Sequence, residues 1–132
     1  MDVKFRPEQE LDAVHEGLTA YNRKFFKETG DLSCCIEDEQ GRCIAGALVW
    51  RADDLVMVDL LWVDEAHRGQ GLGARLLNAV EAEGARVGAK RIELNTFGFQ
   101  APGFYEKLGY RRFGAVEPAV GDYGHYFYLK EL

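Results

Sequence analysis

His67-Arg68-Gly69-Gln70-Gly71-Leu72-Gly73-Ala74 places three glycines at alternate positions just before an amphipathic helical period. Glycine lets a backbone turn through conformations closed to other residues and lets it approach a ligand closely. At a helix start the unpaired N–H groups and the positive end of the dipole face outward, which suits a phosphate or pyrophosphate. Arg68 adds a fixed positive charge beside that position. The plain alternative is a Gly-rich turn with no ligand.

After this turn, Leu72, Leu76, Leu77, Val80 and Val87 share one side of a helix that Gly88 stops. Before it, Ser33 to Asp38, Arg42 to Arg51 and Leu55 to Val63 read as three strands of an antiparallel meander. Glu39-Gln40-Gly41 and Ala52-Asp53-Asp54 form the turns between them. Upstream, Leu11, Val14, Leu18, Tyr21, Phe25 and Phe26 recur at helical spacing, which predicts a helix with one buried stripe, ended by Gly30 and Asp31. Downstream come a strand, Arg91 to Thr96, a short helix over Ala101 to Leu108 ended by Gly109, and two strands, Tyr110 to Glu117 and Tyr123 to Lys130. Gly69, Gly71 and Ala74 also match the dinucleotide fingerprint G-x-G-x-x-G/A, with Glu93 near the position of an acidic ribose ligand. That fingerprint should follow its strand directly in a parallel unit. Here Asp64 to Arg68 intervene after an antiparallel meander, which disfavours it.

Arg68, Gly71 and Gly73 fit the signature of the GNAT family of N-acetyltransferases: Arg or Gln, two residues, Gly, one residue, Gly or Ala. Leu61-Trp62-Val63-Asp64-Glu65-Ala66-His67 resembles that family's fourth strand and its exit. Ala101 to Tyr110 is similar to its late motif, a short helix ending in Tyr-Glu-Lys-x-Gly-aromatic. The resemblance covers nearly the whole chain. It implies an α/β fold, residues 1–132 forming one N-acetyltransferase domain around a central mixed, mostly antiparallel sheet splayed where a coenzyme enters. It further implies acetyl-coenzyme A as co-substrate and an amine acceptor. Backbone groups of Leu61, Trp62 and Val63 would pair with the pantetheine arm, and N–H groups of Arg68, Gly69, Gln70, Gly71, Leu72, Gly73 and Ala74 would hold the pyrophosphate. Two departures stand out. Many members carry Asn seven residues before the tyrosine, where this chain has Gly98, with Asn95 or Gln100 as substitutes. The family's first strand is reduced to Val3-Lys4-Phe5.

Transfer from a thioester to an amine needs a neutral amine, a polarised carbonyl and an acid for the leaving thiolate. Tyr105 matches the family's usual acid; its plain alternative is a core tyrosine. Asp59, in the apolar strand Val56 to Val63, shares a face with Leu61 and Val63 by alternation and is a candidate base or acceptor ligand with a carboxyl raised by burial. His125 is the second candidate base. Arg75 and Lys107 are candidates for a coenzyme phosphate. Tyr21 and Asn22, at the end of the first helix, are candidates for acceptor contact. Cys34 and Cys35 have no neighbouring base motif for an acyl-enzyme, so transfer should be direct.

The chain has 132 residues, 47% of them hydrophobic, and three cysteines expected as buried or half-buried reduced thiols. No His/Cys cluster suggests a metal. A net charge of −6 argues against nucleic acid as a partner. No segment approaches the roughly 20 apolar residues of a membrane span, and the charged first ten residues are unlike a signal peptide, so a cytoplasmic protein without membrane association is expected. A homodimer stays open. The alternative function is a coenzyme-binding sensor that has lost catalysis. No motif identifies the acceptor.

Overall fold

The structure is a computed structural model describing all 132 residues. Helix α1 (Asp12–Asn22) is followed by strands β1 (Thr29–Asp31), β2 (Cys34–Glu37), β3 (Cys43–Ala52) and β4 (Leu55–Val63). Helix α2 (Leu72–Arg86), strand β5 (Arg91–Phe97), helix α3 (Pro102–Lys107) and strands β6 (Arg111–Val120) and β7 (Tyr123–Glu131) complete it. The seven strands form one mixed sheet in the order β1-β3-β4-β5-β7-β6, with β2 beside β1 on β3. Every pairing is antiparallel except β4 with β5. That parallel pair encloses α2, as expected of a strand–helix–strand crossover.

One face of the sheet carries the core. Val49, Val56, Val58, Ile92, Leu94 and Tyr128 meet Leu77 and Val80 of α2, and Tyr105 and Tyr110 in and after α3. The other face is open: Leu48, Leu60 and Trp62 are exposed. Helix α1 does not cover it. No residue of α1 is buried, and Val14 and Leu18 are 63% and 59% exposed, so the expected buried stripe is corrected. The period fixes which side chains share a helix face, not which surface that face meets. The helix also ends at Asn22, before Gly30 and Asp31, which belong to a short edge strand. The chain between is tied down by the Asp53 carboxylate, which accepts the N–H groups of Lys27 and Glu28, so it enters the sheet at its margin. Phe26 against Trp50, with ring centroids 6.3 Å apart, is its aromatic contact with the sheet.

Two further expectations are corrected. Val3-Lys4-Phe5 pairs with no strand. Cys35 and Cys43 are exposed and only Cys34 is half-buried; all three are free thiols.

Strand β4 contains the irregularity that shapes the site. Its ladder with β3 pairs Val49 with Val58 and Leu48 with Leu60, leaving Asp59 as an extra, unpaired residue. Such a bulge shifts the alternation by one and bends the strand. Val56 and Val58 point into the core, and after the bulge Leu61 and Val63 pack inward instead. The expected shared face of Asp59, Leu61 and Val63 is therefore corrected. Asp59 is exposed, without the burial that was to raise its carboxyl.

Candidate active site

Pairing of β4 with β5 stops at Val58 and Leu94. Beyond it β4 keeps β3 on one side and has no strand on the other, while β5 continues against β7. The divergence opens a cavity of about 1000 Å³. Leu61, Trp62 and Val63 form one wall, Asn95, Thr96 and Phe97 the other, and Phe104 and Tyr105 close the inner end.

The turn before α2 forms the far end. Gly69 and Gly71 have φ of 80° and 77°, a left-handed conformation that L side chains rarely adopt, and a Cβ on either would meet nothing within 4 Å. Gly71 is the N-cap of α2 and supplies no side chain to cap it. The first intrahelical bond runs from the Arg75 N–H to the Gly71 carbonyl, at 3.1 Å. The N–H groups of Leu72, Gly73 and Ala74 thus have no helical partner, and all three residues line the cavity. Gly73 allows close packing: a Cβ there would lie 3.1 Å from the Phe104 ring. Arg68 is anchored by its Nε, which donates to the Val63 carbonyl at 3.1 Å. His67, also on the cavity wall, is held through Nδ1 by Asp64 at 2.9 Å. That hydrogen bond keeps the Asp64 carboxyl below its ordinary range.

Tyr105 is 8% exposed, wedged between Phe104, Tyr110 and Tyr128 at centroid distances of 5.1, 6.0 and 6.0 Å. Burial pushes its phenol above the ordinary value, so it stays protonated through neutral pH. The Tyr110 hydroxyl donates to Glu81 and the Tyr128 hydroxyl to Glu106. The Tyr105 hydroxyl has no such partner, yet no buried polar side-chain atom is left unsatisfied. Its oxygen therefore reaches the cavity surface.

The other predicted residues divide. Asp59 lies on the cavity wall near the start of the splay. His125 lies beside the cavity, stacked on Phe97 at 4.4 Å, with Nε2 3.1 Å from Oδ1 of Asn95. Asn95 and Gln100 line the cavity and Gly98 does not; a Cβ at Gly98 would touch Gly124 N at 3.4 Å. The Oε1 of Gln100 accepts the Phe97 N–H at 2.8 Å. Gln70, Arg75 and Lys107 are exposed and off the cavity wall. Tyr21 and Asn22 are not brought to it. His67 and Phe104 are cavity-wall residues to which the sequence analysis assigns no role; the i,i+3 step from Asp64 to His67 is the available signal for the former.

A chain with this splayed sheet, late tyrosine and uncapped Gly-rich helix start matches known proteins over most of its length. The family model described as the acetyltransferase (GNAT) family matches residues 3–110. A blasticidin-S acetyltransferase of Streptomyces morookaense is 38% identical over 91 residues, 67% of each chain. An acetyltransferase of Agrobacterium fabrum is 32% identical over 108 residues, covering 80% of this chain and 79% of that one. Among solved structures, an acetyltransferase from Bacillus cereus superposes with a TM-score of 0.83 at 28% identity, over 100% of this chain and 98% of the other. The chain belongs to the GNAT family of acetyltransferases.

Proposed function

We propose that this acetyltransferase takes acetyl-coenzyme A as donor and passes the acetyl group directly to a primary amine. The observation that carries the reading is the meeting of three features on one cavity: the uncapped start of α2, the unpaired margin of β4 and the Tyr105 hydroxyl. The N–H groups of Leu72, Gly73 and Ala74, with Arg68 beside them, suit the pyrophosphate. The free side of Leu61 to Val63 offers backbone groups to the pantetheine arm in the manner of an added strand. Residues at the inner end of the cavity then face the thioester.

There the amine nitrogen attacks the thioester carbonyl, a C–N bond forms and the C–S bond breaks. Asp59 takes the proton that the ammonium group must lose, directly or through water. Tyr105 gives its phenolic proton to the departing thiolate and recovers, through water, the second proton that the acetylated nitrogen must lose. No residue is acylated on the way.

Acetyl-coenzyme A should raise the melting temperature, because a ligand bound only by the folded state stabilises it by mass action, and NADH and ATP should do so far less. A screen of amines that follows release of free coenzyme thiol then identifies acceptors. A strong NADH shift without an acetyl-coenzyme A shift would overturn the assignment of the turn.

A further inference from the structure

Cys35 of β2 and Cys43 of β3 are both exposed free thiols on neighbouring strands. In the ladder Cys35 lies opposite Gly46 and Glu37 opposite Cys43, and Ile44 is left as an extra residue between Cys43 and Ala45. Strict alternation would send Cys43 and Gly46 to opposite faces of the sheet. The bulge adds one residue and reverses this, so Cys43 shares the open face with Gly46 while Ile44 and Ala45 both pack into the core.

Gly46 is what lets the two thiols meet. It has no side chain, and a Cβ added to it would lie 3.7 Å from the Cys35 Cβ and 3.8 Å from the Cys43 Sγ. Both cysteines therefore border one spot, and the Cys35 thiol is within hydrogen-bonding reach of Cys43. Their other polar neighbours are the Ala45 carbonyl, 3.4 Å from the Cys43 Sγ, and Oε1 of Glu37, 3.9 Å from the Cys35 Sγ. Strand β2 is four residues long and pairs only with β3, so no further ladder resists the small approach that bonding of the sulfurs requires. Cys34 is turned the other way, half-buried against the core.

We propose that Cys35 and Cys43 are a modification site, a dithiol that a small disulfide of the glutathione type oxidises reversibly to a cross-link between β2 and β3. One thiolate attacks the incoming disulfide, whose S–S bond breaks to give a mixed disulfide and one small thiol. The second cysteine displaces the other small thiol as the protein S–S bond forms. The two protons lost by the cysteines end on the two released thiols. Neither cysteine lines the cavity between β4 and β5, so this chemistry is independent of acetyl transfer. The cross-link would fasten β2 to the part of β3 whose Ile44 carbonyl accepts the Asp64 N–H at 2.8 Å, where β4 leads into the Gly-rich turn.

The test is incubation of the reduced full chain with glutathione disulfide, then alkylation in denaturant and mass analysis. Free thiols should fall from three to the one at Cys34, and the chain should lose about 2 Da rather than gain a glutathione adduct. Trypsin cuts after Arg42 and so separates the two cysteines; their peptides should stay joined until dithiothreitol is added. Cys34→Ser should form the same cross-link. Cys35→Ser and Cys43→Ser should instead keep the adduct, about tenfold more of it than the wild type, because a tethered thiol acts at an effective concentration of about 1 mM or more and clears it. A wild-type chain that keeps all three thiols, that accumulates the adduct as the single variants do, or that joins its peptides only between two chains overturns the proposal. So does a cross-link that survives Cys35→Ser. The wild-type result decides even if a variant fails to fold.

Discussion

Glu81 of α2 and Lys130 of β7 meet at 2.6 Å, both side chains largely withdrawn from solvent. The same lysine donates to the Leu108 carbonyl at 2.8 Å, and the other Glu81 oxygen accepts the Tyr110 hydroxyl at 3.2 Å. The pair therefore clamps the end of α3, and with it Tyr105, to α2. Removing one partner of such a pair leaves an uncompensated charge. Glu81→Gln should cost about 2 kcal/mol, read as a lower urea midpoint with unchanged m-value.

Stability should fall as pH rises above 10. Burial, the Glu81 charge and its hydrogen bond push the Tyr110 phenol well above its ordinary value of 10.0. The folded state then holds that proton more tightly than the unfolded one. Its contribution is complete below pH 10 and is lost as pH climbs towards the folded value. Burial raises Tyr105 and Tyr128 in the same sense. Urea midpoints taken from pH 9 to 11 should decline, and Tyr110→Phe should flatten the decline.

Gly71→Val should abolish stabilisation by acetyl-coenzyme A. The left-handed φ of 77° at this N-cap strains any branched residue, at about 1–3 kcal/mol, and the added methyls would enter the open space over the α2 N–H groups. A folded variant with a lowered melting temperature and no ligand shift is the expected outcome, and a retained shift would refute it.

Tyr105→Phe should keep coenzyme affinity and lower kcat by about 10², the usual contribution of a placed general acid. The hydroxyl has no protein partner, so its removal should change the melting temperature little. An unchanged kcat would leave Tyr105 as a packing residue.

Asp59→Asn should flatten the rising limb of kcat/KM with pH while coenzyme affinity stays the same, because the amide keeps the shape and cannot take a proton. Retention of the limb with a raised KM would restrict Asp59 to holding the acceptor's charge. His125→Gln is the comparison. Its hydrogen bond to Asn95 puts it one residue away from the cavity wall, and loss of the limb there would move the base to His125.

The Gly-rich turn and the late Tyr-Glu-Lys block were legible because each depends on local chemistry: a left-handed backbone at Gly69 and Gly71, and a helix that ends at Gly109. The order of elements from the meander onward followed from hydrophobic period and turn residues. The bulge was not legible, since Asp59 occupies one more strand position and only the partner strand reveals that it is unpaired. The first helix misled for another reason. Its apolar stripe is real, and a neighbouring surface rather than the sequence determines whether a stripe is covered. Strand β1 was not legible either, since three residues are too few to show any period.

The unpaired residue in β4 separates what the strand packs from what it presents. Deleting Asp59 would close the bulge into a regular ladder in which Val58, Leu60, Leu61, Trp62 and Val63 alternate strictly, each keeping its partner on β3. Leu61 and Val63 would still face inward beside Leu72 and Leu76. Removal of Asp59 should therefore be tolerated by the core, and what it would take away is the bend in the strand and the carboxylate on the cavity wall.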